Sequence, residues 1–462
     1  MIKNGLYIRD IFSGLEFLFK KRYSVKIMKG KYMLLPMKKP ELLLPAGSLD
    51  RLKTAFLYGA DAVYAGMPAV SLRNKTSFSL EEMKVGIEYA HEKGKKVYLT
   101  VNLFTHNADL PRLEGFVEHL KELQPDGVIV ADPGVFRLIQ SRLRGLPIHI
   151  STQANVCSSL TVRFWKDQGA SCCVLGREVP LSEVKQIRTD CPDIRLEMFI
   201  HGALCVSYSG RCLLSNFMTG RSANKGNCAH ACRWKYRVYQ GNSNTEDPVY
   251  YLEEETRDGA LMRIDEDEHG TYIMNSRDLC LMPRLNDILS VGLDLLKIEG
   301  RNKSEYYTAI TARAYRHAID AWFENPDSWK ADLFLDELAT LQSRGYTVGF
   351  LDGNAGPEAH NYNLSASTGA WRYAGIARHV SQDGVLVEVK HKMTRGMLLE
   401  IVSPNQFEPI RFVVDTLYDP NTKQGVEAIS SGRLGQLVGI SLPTEIARKI
   451  TPLTVFRIKI TE

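Results

Sequence analysis

The sequence predicts an α/β fold: a (β/α)8 TIM-like barrel with a long cysteine-containing insertion, followed by a small C-terminal antiparallel β-barrel domain. Three observations predict it. From Glu41, short apolar runs alternate with helical segments of about 10–15 residues, which is typical of βα units around a parallel sheet. A cysteine-rich segment interrupts this alternation after the seventh run. From Gly369, period-two runs separated by Gly, Asp and Pro indicate antiparallel strands.

Composition limits the class of protein. A chain of 462 residues predicts two or three domains, and 44% hydrophobic with 24% charged residues is typical of a soluble globular protein. No apolar run is long enough for a transmembrane helix, so we expect no membrane partner. The nine cysteines are an odd number, and no secretory signal precedes them. We therefore expect a reducing cytoplasm, where clustered cysteines bind metal or take part in catalysis.

The first 38 residues differ from the rest of the chain. Residues 1–40 hold ten Lys/Arg and two Asp/Glu, a local charge of +8, although the whole chain carries only +5. The remainder is therefore slightly acidic, and nucleic-acid binding must depend on local patches. We expect residues 1–38 to be a basic extension upstream of the real start, near Met33 or Met37. A basic amphipathic segment for targeting or a membrane surface is the alternative.

The barrel domain is expected over residues 39–330. Its eight candidate strands are Leu42–Leu44, Ala62–Ala65, Lys96–Asn102, Gly127–Val130, His149–Ser151, Cys172–Leu175, Leu196–Ile200 and Asp294–Ile298. The candidate helices between and after them are Leu49–Tyr58, Leu80–Lys93, Pro111–Leu123, Val135–Leu143, Leu160–Gln168, Leu181–Thr189 and Ser304–Phe323. A doubly wound open sheet is the alternative that this order of elements leaves open.

Residues that directly follow the strands of a barrel share its catalytic face. His201 follows the seventh strand, where it would move protons or meet a phosphate; a cap or core hydrogen bond is the alternative. Glu299 and Arg301 follow the eighth, where they would bind a small polar acid or orient a base. A salt bridge between them, or with Lys297, is the alternative. Weaker candidates, named from position alone, are Asn102, Asp132 and Gln153.

The insertion spans residues 201–290, and a loop of that length in a compact domain is usually functional. Its cysteines, spaced C-x6-C-x15-C-x3-C, are Cys205, Cys212, Cys228 and Cys232. Four thiolates with this spacing favour a 4Fe-4S cluster over zinc, whose structural sites usually pair cysteines closely on both arms. Cys280 is a possible substitute ligand. The other cysteines, expected to be buried apolar side chains, are Cys157, Cys172, Cys173 and Cys191.

The same insertion is basic around its cysteines. No acidic residue lies between Glu197 and Glu246, whereas the basic ones include Arg211, Arg221, Lys225, Arg233 and Lys235. After the barrel, residues 331–368 are expected to be a linker with a short helix, and residues 369–462 the C-terminal β-barrel domain. These boundaries follow the changes in sequence pattern.

Several motifs together resemble a known family. ELLLPAGSLDRLKTAFLYGADAVYAG, HGALCVSYSGRCLLSNFMTGR, GNCAHACRWKY, IMNSRDLC and LKIEGR are similar to the peptidase U32, or collagenase-like protease, family from about Lys39 onward. The chain is most similar to the branch implicated in converting the tRNA wobble uridine to 5-hydroxyuridine. That resemblance implies prephenate or a similar small carboxylate as co-substrate, and the four cysteines as ligands of a cluster supplied by the iron–sulfur assembly machinery.

The expected function is therefore an iron–sulfur-dependent, tRNA-hydroxylating enzyme. The basic residues around the cysteines would meet tRNA phosphates, and Arg301 would engage the carboxylate. The family name also records proteolysis, so a peptidase is an alternative, although neither an H-E-x-x-H nor a G-x-S-x-G motif is present. A noncatalytic RNA-binding factor with a structural metal is the third hypothesis.

Overall fold

The structure is a computed structural model. The described residues are 23–28, 31–68, 70–71, 78–204, 214–219, 221, 228–241, 249–256, 258–259, 261–264, 277–353, 368–382, 384–431 and 435–460. Strands and helices are numbered below in chain order. The first two strands, β1 (Tyr23–Met28) and β2 (Lys31–Pro36), form an antiparallel hairpin ahead of the barrel.

Seven consecutive parallel strands form most of the barrel wall. They are β3 (Glu41–Ala46), β4 (Ala62–Gly66), β5 (Lys96–Val101), β6 (Gly127–Val130), β7 (Ile148–Ile150), β8 (Cys172–Val174) and β9 (Arg195–Ala203). Most residues of these strands are buried on both faces, because helices cover the outside while side chains fill the inside. In a sequence, strands that are buried on both faces are near-continuous apolar runs, and this is why these strands could be recognised.

The insertion contains its own small sheet. β10 (Tyr236–Gly241), β11 (Val249–Glu254) and β12 (Met262–Ile264) pair antiparallel in that order. The chain then returns to the barrel through β13 (Asp278–Cys280), which pairs antiparallel with the end of β9. The insertion is therefore attached where the seventh barrel strand ends.

The eighth barrel strand, β14 (Leu295–Ile298), closes the wall. It pairs parallel with β9 on one side and with β3 on the other. An open doubly wound sheet would leave β3 in the interior of the order and two free edges, so that alternative is excluded. The (β/α)8 barrel prediction is confirmed.

Helices lie between the strands and begin at residues suited to that position. Ser48, Ser158 and Ser304 each accept a hydrogen bond from a backbone N–H of the first turn, and Ser79 forms a reciprocal capping box with Glu82. The helices are α1 (Leu49–Leu57), α2 (Leu80–Glu92), α3 (Leu110–Leu123), α4 (Pro133–Arg142), α5 (Ser159–Asp167), α6 (Leu181–Asp190), α7 (Leu214–Thr219), α8 (Leu285–Leu289), α9 (Glu305–Glu324), α10 (Asp332–Leu338) and α11 (Thr444–Ala447).

The C-terminal region is an antiparallel half-barrel with its own apolar core. After the short β15 (Tyr346–Thr347), its strands are β16 (Trp371–Val380), β17 (Gly384–Val389), β18 (Met393–Thr394), β19 (Leu398–Val402), β20 (Ile410–Val413), β21 (Leu417–Tyr418), β22 (Ala428–Ile429), β23 (Leu437–Ser441) and β24 (Val455–Lys459). Seven of them form one sheet in the order β20-β19-β24-β16-β17-β23-β21. The expected all-β C-terminal unit is therefore present.

Buried polar contacts join the half-barrel to the (β/α)8 barrel. The hydroxyl of Tyr58, at the end of α1, donates to the carbonyl of Val402 at 2.6 Å and accepts from the N–H of Val455 at 3.1 Å. Arg457 on β24 pairs with Glu337 of α10 at 3.1 Å and with Glu400 of β19 at 2.9 Å. These contacts hold the two units together on the side of the barrel formed by α1, α9 and α10.

Candidate active site at the carboxyl end of the barrel

A polar cavity opens inside the barrel at the carboxyl ends of its strands. Its volume is about 110 Å³. Among the described residues that line it, three side chains are cationic and one is a carboxylate, so the cavity favours an anionic ligand. The lining residues are Tyr64, Thr100, Asn102, Ile129, Ser151, Thr152, Gln153, Val174, Arg177, Phe199, Lys297, Glu299 and Arg301.

Arg301 is fixed over this cavity by hydroxyl groups on other strands. Its Nη1 donates to Ser71 Oγ at 2.6 Å and to Thr100 Oγ1 at 2.9 Å, and only 4% of the residue is exposed. Gly66 at the end of β4 leaves the space for this guanidinium, because a Cβ there would lie 2.4 Å from Nη1. These two hydroxyl partners are neutral, and they hold the guanidinium in place.

Glu299 is positioned through both its side chain and its main chain. Tyr64 donates its hydroxyl proton to Glu299 Oε2 at 2.9 Å, with the carbonyl of Ile298 a second acceptor at 3.0 Å. The Glu299 carbonyl accepts from the Tyr307 hydroxyl at 2.7 Å, and its N–H donates to the carbonyl of His201 at 2.8 Å. A carboxylate held beside a phenol can exchange protons with a bound ligand.

Amides and hydroxyls form the opposite side of the cavity. Asn102 Nδ2 donates to Gln153 Oε1 at 2.7 Å, and Ser151 Oγ donates to the same oxygen at 3.3 Å. Arg177 lies over the ring of Phe199, with 4.0 Å between its Cζ and the ring centroid. This side therefore offers hydrogen-bonding groups and one further cation. Asp132, in contrast, caps α4 by accepting from the N–H groups of Gly134 and Val135.

A chain of charged and polar groups lies behind Lys297, outside the lining of the cavity. Lys297 Nζ lies 2.6 Å from Glu197 Oε1, and His149 Nδ1 lies 3.3 Å from Glu197 Oε2. Burial raises the pKa of Glu197, but the Lys297 charge and the His149 hydrogen bond outweigh it and lower that pKa to about 2. Burial also lowers the pKa of His149, which is therefore neutral at pH 7.

Three residues of the buried region behind Lys297 could hold a metal ion. Potential ligand atoms of His149, Cys172 and Glu197 all lie within 4.8 Å of one another. The carboxylate of the group is already paired with the ammonium of Lys297. Burial raises the pKa of the Cys172 thiol well above its usual value, which opposes thiolate ligation.

His201 does not line the cavity. It lies at the end of β9 with its ring among those of Tyr307, Tyr315 and Tyr346, whose centroids are 5.5–5.9 Å away. The Tyr315 hydroxyl is 3.4 Å from His201 Nδ1, and 1% of His201 is exposed. In this position the ring packs and hydrogen-bonds in the core, and the expected proton-transfer role of His201 stays a prediction.

Two of the four predicted cluster ligands fall within the described residues. Cys228 lies three residues before the 3-10 segment Ala231–Arg233 and Cys232 lies within that segment; both are half-buried. Cys228 Sγ accepts a hydrogen bond from the N–H of His230 at 3.4 Å, an arrangement that suits a metal-bound thiolate. Cys205 and Cys212 lie outside the described residues. The surroundings of Cys228 are therefore compatible with a thiolate ligand at this position.

Cys280 has different surroundings. It lies on β13 with 2% of its surface exposed, and its Sγ is 3.8 Å from the Tyr315 hydroxyl. Burial raises the pKa of this thiol to about 11. Cys172, Cys173 and Cys191 are also buried, whereas Cys157 is only partly covered.

The predicted RNA-contacting residues are described in part. Lys235 is largely exposed and lies 3.6 Å from Glu255, and Arg221 directs Nη2 toward the carbonyl of Cys228 at 3.5 Å. Arg211, Lys225 and the side chain of Arg233 lie outside the described part of the chain.

Some residues of the cavity were predicted from the sequence, and others were not. Glu299 and Arg301 meet at the cavity because both follow the eighth strand. Tyr64, Thr100 and Lys297 were not predicted, since they lie within strands whose two faces are both buried, where alternation does not show which side points inward. The sequence feature that could have identified these three residues is a polar or charged side chain inside an otherwise apolar strand, such as the lysine of LLKI.

The family comparison matches most of the chain. The model described as Peptidase family U32 matches residues 47–361. In the described residues no helix is both long and apolar enough to cross a membrane.

Curated relatives have two kinds of name. The tRNA hydroxylation protein P of Escherichia coli (strain K12) is 41% identical over 402 residues, which cover 79% of this chain and 86% of the relative. The 23S rRNA 5-hydroxycytidine C2501 synthase of the same strain is 32% identical, covering 62% of this chain and 40% of the relative. A protein named Collagenase from Porphyromonas gingivalis is 30% identical, covering 71% and 77%.

Proposed function

The chain belongs to peptidase family U32, and from that premise we propose that it is an RNA hydroxylase. We propose specifically that it adds a hydroxyl group to C5 of the tRNA wobble uridine, with prephenate or a similar small carboxylate as co-substrate. The names of its relatives support RNA hydroxylation as the class of reaction. A cytoplasmic location accords with tRNA as the substrate.

The charge of the barrel cavity is the observation that carries this proposal. Among the described residues that line the cavity, Arg177, Lys297 and Arg301 are cationic and Glu299 is acidic. Glu197 pairs with Lys297 from behind, so three cations against two carboxylates leave one net positive charge. A site of this charge favours a small acid. With a volume of about 110 Å³, it is also small beside the roughly 300–1,000 Å³ of pockets for drug-sized ligands.

Each cavity residue has a role in this proposal. Arg301, held by Ser71 and Thr100, binds the carboxylate of the acid. Glu299 and Tyr64 accept and return a proton at the ligand, since their oxygen atoms are 2.9 Å apart at the cavity wall. His201 is not assigned a catalytic role, because its ring lies outside the cavity.

The insertion would hold the cofactor and contact the RNA. Cys205, Cys212, Cys228 and Cys232 would ligate a 4Fe-4S cluster from the iron–sulfur assembly machinery, with Cys280 as a substitute and zinc as the alternative metal. A cluster of this kind supplies one-electron transfer when it is bound. The proposed phosphate contacts are Arg211, Arg221, Lys225, Arg233 and Lys235.

Nucleoside mass spectrometry of tRNA tests the proposal. A strain that lacks this protein should lose 5-hydroxyuridine and its derivatives, and the wild-type gene should restore them. A Cys228→Ser, Cys232→Ser variant should bind less iron and fail to restore the modification. Normal modification in the deletion strain would contradict the proposal.

Two further assays, gelatin cleavage and tRNA binding, separate the other hypotheses. A peptidase predicts gelatin cleavage by the purified protein. Among the described residues that line the cavity there is neither a histidine nor a cysteine, so no Ser/His or Cys/His pair is assembled there. A noncatalytic binding factor predicts tRNA binding with unchanged nucleosides.

A further inference from the structure

Lys297 is a buried amine that faces the ligand cavity. It lies on β14 with 4% of its surface exposed, and it is one of the lining residues. Its Nζ is 4.3 Å from the ring centroid of Tyr64 and 5.3 Å from that of Phe199. Lysines are rarely buried because the ammonium loses its hydration there, so a buried lysine that faces a cavity is a candidate for catalysis.

A carboxylate behind Lys297 lies within reach of its proton. Glu197 Oε1 is 2.6 Å from Nζ, and both Glu197 and His149 are fully buried. Moving one proton from Lys297 to Glu197 replaces two buried charges by two neutral groups and leaves the net charge at zero. The ion pair is the favoured state of the free site, because the Lys297 charge helps to hold the pKa of Glu197 at about 2, so this transfer is an uphill step that precedes attack by the amine. It keeps the net charge of the pair at zero, whereas loss of the proton to solvent would leave Glu197 buried without its cation. The hydrogen bond to His149 keeps Glu197 in place in either state.

The groups on the other side of Lys297 are suited to a 2-oxo acid. Arg301 and Arg177 line the same cavity and can hold a carboxylate. The Tyr64–Glu299 pair is hydrogen-bonded at the cavity wall and can donate or accept a proton at a carbonyl oxygen. An amine, an acid–base pair and a carboxylate anchor in one enclosed site are the components that imine formation requires.

We propose that Lys297 forms a Schiff base with the keto group of a 2-oxo acid bound in this cavity. This inference rests on the proposed function in that the acid co-substrate, prephenate, carries a 2-oxo acid side chain. Glu197 takes a proton from the ammonium, and the neutral amine attacks the carbonyl carbon to form a C–N bond. The carbonyl oxygen leaves as water after gaining two protons, one returned from Glu197 and one from the nitrogen. The products are the protonated imine and water, with no change in oxidation state.

The linkage holds the acid in one orientation beneath the mouth of the barrel. The iminium nitrogen keeps a positive charge beside Glu197, so the ion pair of the free enzyme is preserved in the adduct. The protonated imine also draws electrons from the adjacent carbon atoms of the bound acid. Lys297 thus both anchors and activates the ligand.

Reductive trapping on the full-length protein tests this inference. The purified protein is incubated with pyruvate and sodium cyanoborohydride, digested, and mapped by mass spectrometry. The expected result is one reduced pyruvate adduct on Lys297, formed at least tenfold faster than on any other lysine. Lys297→Arg retains a cation beside Glu197 and should abolish this adduct, whereas Lys39→Arg, at an exposed ion pair, should leave it unchanged.

The outcomes distinguish this inference from the proposed function. Adducts spread over surface lysines, or a protein that hydroxylates tRNA with no adduct on Lys297, would overturn the Schiff base alone. An adduct on Lys297 in a protein that leaves tRNA unmodified would support the Schiff base and contradict the proposed function. Peptide mapping of the wild-type protein decides the question even where Lys297→Arg fails to fold.

Discussion

Arg301 donates from Nη1 to the hydroxyl of Thr100 at 2.9 Å, and this bond connects strands that are not neighbours in the barrel wall. Thr100 lies on β5, whereas Arg301 follows β14, and β3 and β4 separate those two strands. The guanidinium therefore crosses the mouth of the barrel. A cation placed in this way meets whatever enters the cavity, so its geometry should determine how tightly an acid binds.

Replacement of Arg301 by lysine should weaken binding of the acid co-substrate. The single ammonium of a lysine cannot reach Ser71 and Thr100 while also contacting a carboxylate, as the planar guanidinium can. A lost hydrogen bond between charged groups costs about 1.5–3 kcal/mol, so the KM for the acid should rise about tenfold to a hundredfold. Steady-state kinetics at saturating tRNA measure this. Arg163→Lys, at an exposed position of α5, is the control, and an unchanged KM in Arg301→Lys would contradict the assignment.

Replacement of Tyr64 by phenylalanine should reduce the rate of the reaction more than ligand binding. The change removes the hydroxyl that donates to Glu299 Oε2 and keeps the ring beside Lys297. General acid–base groups contribute about 10²–10⁴-fold, so kcat should fall by about a hundredfold or more. Tyr89→Phe on α2 is the matched control. A variant whose KM rises while kcat stays constant would instead assign Tyr64 to binding.

The barrel could be predicted in detail because its strands and caps have local signals. The run Gly127–Val130 was expected and is found with the same ends, since Asp126 and Asp132 bound an apolar segment on both sides. The direction of side chains inside the barrel has no such signal. The contact of Lys297 with Glu197 joins residues a hundred positions apart, and only closure of the sheet brings them together. For the same reason, the carboxylate that the sequence suggested as a partner of Lys297 was Glu299.

His201 should make the protein less stable as the pH falls from 7 to 5. Burial lowers its pKa from 6.5 to about 4, with the Asp278 charge opposing and the Lys303 charge assisting that shift. The unfolded chain therefore binds a proton in this range that the folded chain does not. The contribution of His201 to the free energy of unfolding is fully present above about pH 6.5 and is lost as the pH falls toward 4. The loss due to this residue should be roughly 2 kcal/mol between pH 7 and 5.

Urea unfolding at the two pH values measures this contribution. His201→Gln should be less stable than wild type at pH 7 but should show a smaller loss on going to pH 5. His106→Gln, at an exposed position, should behave as wild type. An equal loss in His201→Gln and wild type would show that His201 does not account for the acid sensitivity.

Arg457 should be essential to the stability of the joined barrel and half-barrel. It is 3% exposed and lies between Glu337 and Glu400, so Arg457→Leu would leave two buried carboxylates without this partner. Removal of one member of a buried ion pair costs about 3–5 kcal/mol. Chemical denaturation measures the loss. Arg395→Leu, which removes an exposed pair with Glu427, should cost less than about 1 kcal/mol, and similar losses in the two variants would contradict this role.

Gly202 should control the position of Glu299. Its φ is +114°, and a Cβ at this residue would lie 2.2 Å from the carbonyl oxygen of Glu299, the atom that accepts from the Tyr307 hydroxyl. Gly202→Ala should therefore displace the main chain of Glu299 and lower kcat at least tenfold. Gly94→Ala is the matched control, because its φ is +63° but no atom lies within 4 Å of the added Cβ.

The two alanine variants separate backbone strain from contact. Both place an L-residue at positive φ, which costs about 1–2 kcal/mol of stability. Only Gly202→Ala also collides with the main chain beside the cavity, so a loss of activity restricted to this variant would identify the contact as its cause. If Gly202→Ala loses stability to the same extent as Gly94→Ala and keeps wild-type kinetics, then the close packing of β9 against the Glu299 carbonyl does not set the geometry of the site.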